Sequence, residues 1–542
     1  MALRPNFSFQ QGTVSRSVPL QLIKGSDPRS HRSCSWFWEA IEHQWRREVE
    51  HGAKTSKGDP EIAQAPHPIH QFRQERAGMR FLALCDELSK PAVSGVGHCI
   101  LLGDLIHSSQ GHQASAWVAL PVGDPMAEAS AVDQALTWEA LEAMAPAPMD
   151  RINGPTNAQA DLRLFGQPEA AVRVTLYRDH HAWCPYCQKV WLWLEFRRIP
   201  YRISKVTMRC YGPKEPWFTA KVPSGMLPAL ELDGRLITES DEILIALEQA
   251  FGPLGDSMLS ASVRELRQLE RLLFRAWCIW LCSPGLSRQQ DQRAQDQFQG
   301  IARRMEQALE AGGGRWLDPL EPDGPAPGTA DLVFIPYVER MNASLAYYKG
   351  FRLRAKHPAI DRWLTALETL PTYRGTQSDF HTHAHDLPPQ MGGCWPNGLD
   401  DQRADAKAID CGDGLGEHEQ CFGGDAVLEA LGALAPVLRH RQTLMSRNPL
   451  GENFDQPLRA ALTLLTTGLT VSPERGSALG LRYLRDRISV PRDMPLLSGR
   501  LLRQALERTA ALDGEAQPEP LPMQHRFDQD PRPFSAGDDH LH

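Results

Sequence analysis

The 542-residue sequence is poor in cysteine and has no excess of basic side chains. Eleven cysteines are too few for a disulfide scaffold, and their odd number leaves at least one without an intrachain partner. This composition favours a reducing compartment, and we expect a cytoplasmic location. The 58 basic residues are outnumbered by 66 acidic ones, which gives a formal charge of −8. We therefore expect no nucleic-acid partner, because nucleic-acid binding usually needs a positive field.

Long apolar runs are also lacking. The longest apolar stretches, residues 99–106 and 277–281, fall well short of the roughly 20 residues that a membrane span needs. The first twenty residues contain no continuous apolar core, which makes a secretory signal an unfavoured interpretation. The sequence therefore predicts no membrane span.

The length predicts three or four domains at about 150 residues each. Changes in periodicity and turn-rich stretches divide the chain further. The predicted segments are an N-terminal extension of unknown role (1–130), a linker (131–170), an α/β segment (171–255), a helical segment (256–377), a loop region (378–424), an additional helical region (425–510) and a disordered acidic tail (511–542). The linker is predicted to contain a short helix over residues 136–145.

Residues 171–255 show the order β-α-β followed by β-β-α. The dipeptide Asp233-Gly234 separates two short apolar stretches and is a strong hairpin turn signal. Pro185 stands at the first turn of a helical pattern, where its missing N–H costs little. We predict strands over residues 172–177, 201–207, 227–232 and 236–238, and helices over residues 185–198 and 240–251.

The sharpest chemical motif is Cys184-Pro185-Tyr186-Cys187, directly between the first predicted strand and helix. A thiol is nucleophilic as the thiolate, which the N–H groups and the dipole at a helix N-terminus stabilise. Cys184 occupies that terminus, and Cys187 lies one turn further on, within reach to form or resolve a disulfide. Two alternatives stay open: half of a zinc site, although no second pair has suitable spacing, and a structural cysteine pair.

The order of strand, Cys-Pro-Tyr-Cys and helix, with Leu227-Pro228 before a strand and Glu239-Ser240 at a helix start, resembles the glutaredoxin and glutathione-transferase family. The cysteine-type, omega-like transferases of cyanobacteria and chloroplasts are the most similar group. The resemblance implies an α/β plus all-α fold class. A thioredoxin-like N-terminal domain is followed by a helical transferase domain, with extra segments at both ends.

The resemblance also implies roles for individual residues. Cys184 is the expected nucleophile, which forms a mixed disulfide with glutathione, and Cys187 is the expected resolving thiol. The implied glutathione contacts are Lys214 at the glycyl end, Leu227 and a cis-Pro228 at the cysteinyl backbone, and Glu239 and Ser240 at the γ-glutamyl end.

The implied function is that of an enzyme, a glutathione-dependent thiol transferase or thiol–disulfide oxidoreductase. Its partners would be glutathione, as co-substrate, and an unidentified electrophile or disulfide; a homodimer is also expected. The sequence does not choose between deglutathionylation, dehydroascorbate reduction and cleavage of glutathionyl conjugates. Glutathione supplies the electrons, so we expect no metal and no nicotinamide. The alternative is a catalytically silent scaffold that keeps the fold.

His381, His383 and His385 stand at alternating positions in the predicted loop region. If this segment is extended, successive side chains are about 6.8 Å apart, too far for all three to share one metal without a bend. An exposed loop or interdomain hydrogen bonding is the favoured interpretation. A metal site that includes Cys394 stays open.

Three further patterns have competing interpretations. The aromatic residues Trp277, Trp280 and Tyr337 are favoured as core over a second-substrate pocket. The arginines between residues 482 and 503 are favoured as a solvated helix face with local carboxylate partners, such as Asp486 and Asp493, over an anion site. Gly328 stands where the family usually carries a Ser or Thr that caps the helix with Asp331, but glycine is a tolerable N-cap.

Overall fold

The computed structural model describes residues 134–513, apart from residues 209, 319–323, 325, 417–418 and 420–424. The predicted extension over residues 1–130 lies outside the described residues, as does all but the first three residues of the predicted tail. In chain order, the strands are β1 (Leu162–Arg163), β2 (Val174–Asp179), β3 (Tyr201–Val206), β4 (Ala229–Leu232) and β5 (Arg235–Thr238).

The helices fall into two groups along the chain. Those up to residue 374 are α1 (Trp138–Met144), α2 (Pro185–Phe196), α3 (Pro216–Lys221), α4 (Ser240–Phe251), α5 (Ala261–Cys282), α6 (Arg288–Ala311), α7 (Thr329–Lys349), α8 (Leu353–Lys356), α9 (Pro358–Glu368) and α10 (Pro371–Arg374). The later ones are α11 (Phe380–Met391), α12 (Asp400–Asp410), α13 (Ala426–Arg439), α14 (Arg441–Arg447), α15 (Asp455–Thr467), α16 (Ala478–Arg487) and α17 (Leu496–Ala511).

The five strands form one mixed sheet in the order β1-β3-β2-β4-β5. Strands β2 and β3 are parallel, and the other neighbouring pairs are antiparallel. In the predicted hairpin turn, Asp233 and Gly234 both have positive φ values, 51° and 80°, as a two-residue turn between right-twisted strands requires. Together with the helices that follow, this sheet confirms the predicted α/β plus all-α fold class.

Helices cover both faces of the sheet. Phe218 of α3 packs against Tyr177, Val206 and Ala229 on one face. On the other face, the guanidinium of Arg178 in β2 lies 4.7 Å from the ring centroid of Trp191 in α2. Because successive strand residues point to opposite sides of a sheet, Tyr177 packs against α3 on one face and Arg178 packs against α2 on the other.

Helix α7 is the centre of the helical part. Nearly all of its residues are buried, and it contacts α2, α5, α11 and α12. A helix that is apolar around most of its circumference needs neighbours on every side. At the start of α7, glycine stands at the N-cap where the family usually has Ser or Thr, as the sequence indicated. The N–H of Gly328 donates to Asp331 Oδ2 at 3.2 Å. Asp331 thus caps the helix without a hydroxyl side chain from residue 328.

Within the predicted linker over residues 131–170, the short helix predicted over residues 136–145 is present as α1, but the stretch after it is not only a linker. Helix α1 packs on the C-terminal helices, where Leu141 joins a core of leucines and alanines from α13, α15, α16 and α17. Strand β1 extends the sheet through its pairing with β3. The strand pairing accounts for the difference, which the turn-rich composition concealed.

The predicted loop region over residues 378–424 is also wrong, because it contains helices α11 and α12. The Asp379 carboxylate caps α11 by accepting from the N–H of Thr382 at 2.9 Å. In a helix, His381 and His385 lie one turn apart on one face and His383 lies on the opposite face. The assumption of an extended chain therefore fails for the three histidines.

Helix α11 is joined to the C-terminal helices by contacts that we call the C-terminal seam, between residues 376–386 and 488–503. The Val490 N–H donates to Thr382 Oγ1 at 3.1 Å, and Arg503 Nε donates to Asp379 Oδ2 at 3.0 Å. Ser378 Oγ donates to the carbonyl of Val490. Residues 425–513 are therefore in hydrogen-bonded contact with the segment that follows α10. None of the helices in the described part of the chain combines the length and the apolarity needed to cross a membrane.

Candidate active site around Cys184 and Cys187

Cys184 is the N-cap residue of α2, at the end of the turn that follows β2. Its carbonyl accepts the N–H of Gln188 at 3.0 Å, so its sulfur stands beside the first turn of the helix. Cys187 lies in that first turn, and both side chains are reduced and buried. One ligand atom each of Asp179, Cys184 and Cys187 lies within 4.8 Å of the others. The two cysteines are thus brought together as predicted.

The two sulfurs have different electrostatic surroundings. Burial raises the pKa of the Cys187 thiol well above its usual range, and the hydrogen bond and the charge interaction with Cys184 add to this. Near neutral pH, Cys187 is therefore a thiol that hydrogen-bonds to Cys184. This asymmetry makes Cys184 the sulfur better suited to nucleophilic attack.

The turn that carries Cys184 is fixed on both sides. The Trp183 N–H donates to Asp179 Oδ2 at 2.7 Å. The Arg340 guanidinium of α7 donates to the Trp183 carbonyl and lies 4.5 Å from the Trp183 ring centroid. Because this arginine is buried, its cation stands in a region of low dielectric, where charge interactions are strong. Its pKa is lowered by burial, while the charges of Glu339 and Cys184 oppose that shift.

Lys214 also lies within electrostatic reach of the cysteines. Its ammonium donates to the carbonyl of Thr207 at 3.1 Å. Burial lowers the pKa of Lys214, and Cys184 and then Cys187 are the largest influences that raise it. The predicted glycyl-end lysine is therefore close enough to the cysteine pair for their charges to interact.

The remaining predicted contacts lie at turns of the same domain. The Leu227–Pro228 peptide bond is cis, as predicted. Ser240 is buried at the first position of α4, and Glu239 precedes it with a φ of 67°. The N–H groups at this helix start are suited to a carboxylate. The glutathione roles of Leu227, Pro228, Glu239 and Ser240 stay predictions.

A buried relay connects the cysteine turn to α11. Trp183 Nε1 donates to His383 Nδ1 at 3.0 Å, and His383 Nε2 lies 2.8 Å from Glu339 Oε1. Since an indole nitrogen only donates, His383 Nδ1 must accept and Nε2 carries the proton. Burial lowers the pKa of His383, so the imidazole is neutral at neutral pH. His383 belongs to a buried hydrogen-bond chain that joins α11 to the cysteine turn. This agrees with the predicted interdomain hydrogen bonding and excludes an exposed loop at this position.

Sequence reasoning missed three residues that shape this site: Asp179, Trp183 and Arg340. Asp179 ends β2 shortly before the Cys184 motif, and this position could have marked it. Arg340 stands in a long apolar stretch of α7, where a lone cation marks a buried charge with a partner. His383 was singled out among the alternating histidines, but its partners could not be named from the sequence because they are 200 and 44 residues away.

The other predicted clusters are structural in the described residues. Trp277 donates from its indole to Ser344 Oγ at 3.0 Å, and Trp280 donates to Asp291 Oδ1 at 3.0 Å. Tyr337 is buried, with its ring 5.9 Å from that of Tyr186. These aromatic side chains belong to the core, which was the favoured interpretation.

The C-terminal arginine cluster has the predicted local carboxylate partners Asp486 and Asp493, but several of its arginines are buried, so it is not a solvated face. Its members form ion pairs with carboxylates of the same chain, namely Arg482 with Glu507, Arg485 with Asp486 and Glu507, Arg492 with Asp493, Arg500 with Glu419 and Arg503 with Asp379. Arg503 is only 1% exposed. The carboxylate partners account for this stretch better than an anionic ligand does.

Comparison with known families agrees with this arrangement. Residues 183–250 match the glutathione S-transferase N-terminal domain, and residues 289–366 match the glutathione S-transferase C-terminal domain. This part of the chain belongs to the glutathione S-transferase family. The match confirms the predicted family and enzyme class, and it makes glutathione the co-substrate of the glutathione S-transferase unit, by which we mean residues 183–366.

Individual relatives match about a third of the chain. Glutathione S-transferase DHAR2 of Arabidopsis thaliana is 22% identical over 195 residues, which are 36% of this chain and 84% of the relative. The chloroplastic glutathione S-transferase DHAR3 of the same plant is 24% identical over 203 residues, which are 36% of this chain and 69% of the relative. A crystal structure of Chlamydomonas reinhardtii dehydroascorbate reductase is 20% identical and covers 38% of this chain and 91% of that one, with a TM-score of 0.31.

Proposed function

We propose that the protein is a glutathione-dependent thiol–disulfide oxidoreductase of the cysteine type, with Cys184 as the nucleophile. The observation that carries the proposal is the asymmetry of the pair. Cys184 caps α2 beside the cationic groups of Arg340 and Lys214, whereas Cys187 is held as a thiol. A sulfur in such surroundings is suited to attack a disulfide.

The proposed cycle conserves atoms and electrons. The Cys184 thiolate attacks the glutathionyl sulfur of a mixed disulfide, which forms a Cys184–glutathione disulfide and releases the substrate as a thiolate that takes up a proton. The thiolate of a second glutathione then attacks this disulfide, releases glutathione disulfide and restores the Cys184 thiolate. In the variant route, Cys187 loses its proton and displaces glutathione from Cys184. Two glutathione molecules then reduce the resulting Cys184–Cys187 disulfide.

The surroundings of Cys184 and Cys187 support different roles for the two sulfurs. The high pKa of Cys187 makes it a slow nucleophile until a base removes its proton. We therefore propose that glutathione regenerates Cys184 in most turnovers. A cytoplasmic location belongs to the same proposal, because the cycle needs a pool of reduced glutathione. The electrophilic substrate and the homodimer stay predictions.

The test is the rate of glutathione-dependent reduction of a small glutathionyl mixed disulfide, with dehydroascorbate as a second substrate. We expect Cys184→Ser to lower the rate by at least ~10³-fold, because it removes the nucleophile. We expect Cys187→Ser to retain part of the rate and to accumulate one glutathionyl group, detected by intact mass. Cys282→Ser, at the end of α5, is the matched control and should leave the rate unchanged.

Two outcomes would overturn the proposal. A full rate in Cys184→Ser would remove the mechanism. No rate in the wild-type protein, together with no calorimetric binding of glutathione, would favour the alternative of a scaffold without turnover.

A further inference from the structure

A second cluster of ligand-type side chains lies on α11, on the face opposite His383. His381 and His385 are four residues apart, and their ring centroids are 4.6 Å apart. His385 Nε2 lies 2.8 Å from Asp410 Oδ1, at the last residue of α12. One nitrogen from each histidine and one oxygen of Asp410 lie within 4.8 Å of one another.

We propose that His381, His385 and Asp410 bind one divalent transition-metal ion. Two imidazoles and one carboxylate are a ligand set that suits Zn²⁺ and its neighbours in the first transition row. Such an ion holds its ligands at about 2.0–2.2 Å, so tetrahedral ligands stand about 3.4 Å apart. Small rotations of the three side chains would bring their ligand atoms, which now lie within 4.8 Å of one another, to this spacing.

The surroundings of the cluster are those of a supported metal site. The hydroxyl of Tyr347 donates to Asp410 Oδ2 at 3.1 Å, which holds the carboxylate in place and leaves its other oxygen directed at His385. Such outer hydrogen bonds orient metal ligands. At the buried side of the cluster, Asp486 Oδ1 lies 3.8 Å from His381 Nε2. The same oxygen accepts from Arg485 at 2.7 Å, so the negative charge of this carboxylate is already neutralised by an arginine.

The two ends of the cluster differ in access. His381 is buried, whereas the side chains of His385 and Asp410 are partly exposed. An ion could therefore enter from the Asp410 side. Three protein ligands would leave a fourth position for water or for a small anionic or neutral ligand, as in zinc sites that are not closed.

Helix α11 links this cluster to the cysteine turn, since His383 on its other face holds Trp183. An ion bound to His381, His385 and Asp410 would join α11 to α12. It would thereby fix the helix that presents His383.

Binding of Co²⁺ and Zn²⁺ to the full-length protein, first stripped with a chelator, tests the proposal. We expect one equivalent of Co²⁺ with a visible d–d spectrum and no sulfur-to-cobalt charge-transfer band. The second condition matters because Asp179, Cys184 and Cys187 are also grouped closely enough to ligate a metal. The Cys184→Ser/Cys187→Ser double variant should bind the same equivalent.

Substitutions separate a metal site from a hydrogen-bonded pair. We expect His385→Gln and Asp410→Asn each to weaken Co²⁺ binding by at least ~100-fold, and Tyr347→Phe by about tenfold, as for an outer partner. His357→Gln is the matched control, because His357 also pairs with a carboxylate, Glu306, at 2.9 Å. It should leave Co²⁺ affinity unchanged. Added Zn²⁺ should raise the melting temperature of the wild-type protein but not of Asp410→Asn.

Three outcomes would overturn the proposal. One is the absence of a bound equivalent in the wild-type protein. Another is a charge-transfer band that disappears in the double cysteine variant, which would assign the ion to the cysteine pair. The third is undiminished binding in both His385→Gln and Asp410→Asn, with circular dichroism showing that both variants are folded.

Discussion

The turn that carries Cys184 and the C-terminal seam are both buried and polar, but the turn has a local hydrogen bond of its own, whereas the seam is formed by contacts between residues far apart along the chain. The N–H of Trp183 meets the Asp179 carboxylate four residues earlier. In the seam, Arg503 meets Asp379 across 124 residues, and Val490 meets Thr382 across 108. A short local signature can thus specify a reactive turn, whereas the seam exists only once the whole chain has folded.

The two regions are also connected. The hydrogen bond from Trp183 to His383 leads from the cysteine turn to α11, and α11 carries the seam on its first turn. The C-terminal helices are therefore packed on the segment that supports the glutathione S-transferase unit. Substitutions in the seam and at His383 test how much each of these contacts contributes to the stability of the folded chain.

The largest effect is expected from Arg503→Leu in the seam. Arg503 donates to Asp379, to Thr382 and to the carbonyl of Ile488 at 2.6 Å, and both charged groups are buried. Removing the cation leaves the Asp379 carboxylate buried without its counter-ion, which costs about 3–5 kcal/mol in the free energy of unfolding. Urea denaturation of the full-length protein measures the change.

The matched control is Arg403→Leu, which removes an arginine from an exposed ion pair with Asp400. We expect it to change the free energy of unfolding by about 0.5 kcal/mol or less. If Arg503→Leu costs no more than Arg403→Leu, the seam does not stabilise the fold.

An intermediate effect is expected from the pH dependence of stability at His383. Because burial lowers its pKa, the folded protein keeps His383 neutral while the unfolded chain takes up a proton below about pH 6.5. Its contribution is therefore present above that pH and is lost as the pH falls. Relative to His383→Gln, wild-type stability should fall by up to about 1.4 kcal/mol per pH unit below pH 6.5.

The comparison is made by urea denaturation at several pH values between 8 and 5.5. At pH 8, both the folded and the unfolded forms carry a neutral imidazole, so the difference between wild type and His383→Gln gives a constant baseline. A difference that does not change with pH would show that His383 is not held neutral by the relay.

The smallest effect is expected at a purely local feature, the start of α6. Ser287 Oγ accepts from the N–H of Gln290 at 3.3 Å, and Gln290 Oε1 accepts from the N–H of Ser287 at 2.9 Å. We expect Ser287→Ala to lower the free energy of unfolding by about 1 kcal/mol, because a helix N–H loses its partner. Ser446→Ala, whose hydroxyl donates to a carbonyl three residues earlier, is the control and should cost less. An equal loss in both variants would contradict a specific capping role.

The predictable parts of the molecule are those with local signatures. The Asp233-Gly234 turn, the helix that starts at Ser240 and the placement of Cys184 at the start of α2 all follow from short-range rules. The cis peptide before Pro228 followed from the family resemblance. Helix α11 was missed because its helical spacing is interrupted by Pro388 and Pro389 and its capping residue precedes three polar histidines.

Long-range pairing accounts for the rest. The arginines of the C-terminal region resemble an exposed helix face in sequence, and only the folded structure supplies distant partners such as Glu419 for Arg500. In the same way, Arg340 acquires its position beside Trp183 from a helix packed across the cysteine turn. Whether a charged side chain is buried therefore depends on neighbours that are distant in sequence, and the local sequence does not predict it.

The alternation of roles along α11 limits how this segment can change in evolution. One inserted residue turns every later side chain by about 100° around the helix axis. A single insertion between His381 and His385 would thus separate the two rings and carry His383 away from Trp183. Length changes between Asp379 and His385 are therefore expected to be rare among homologues.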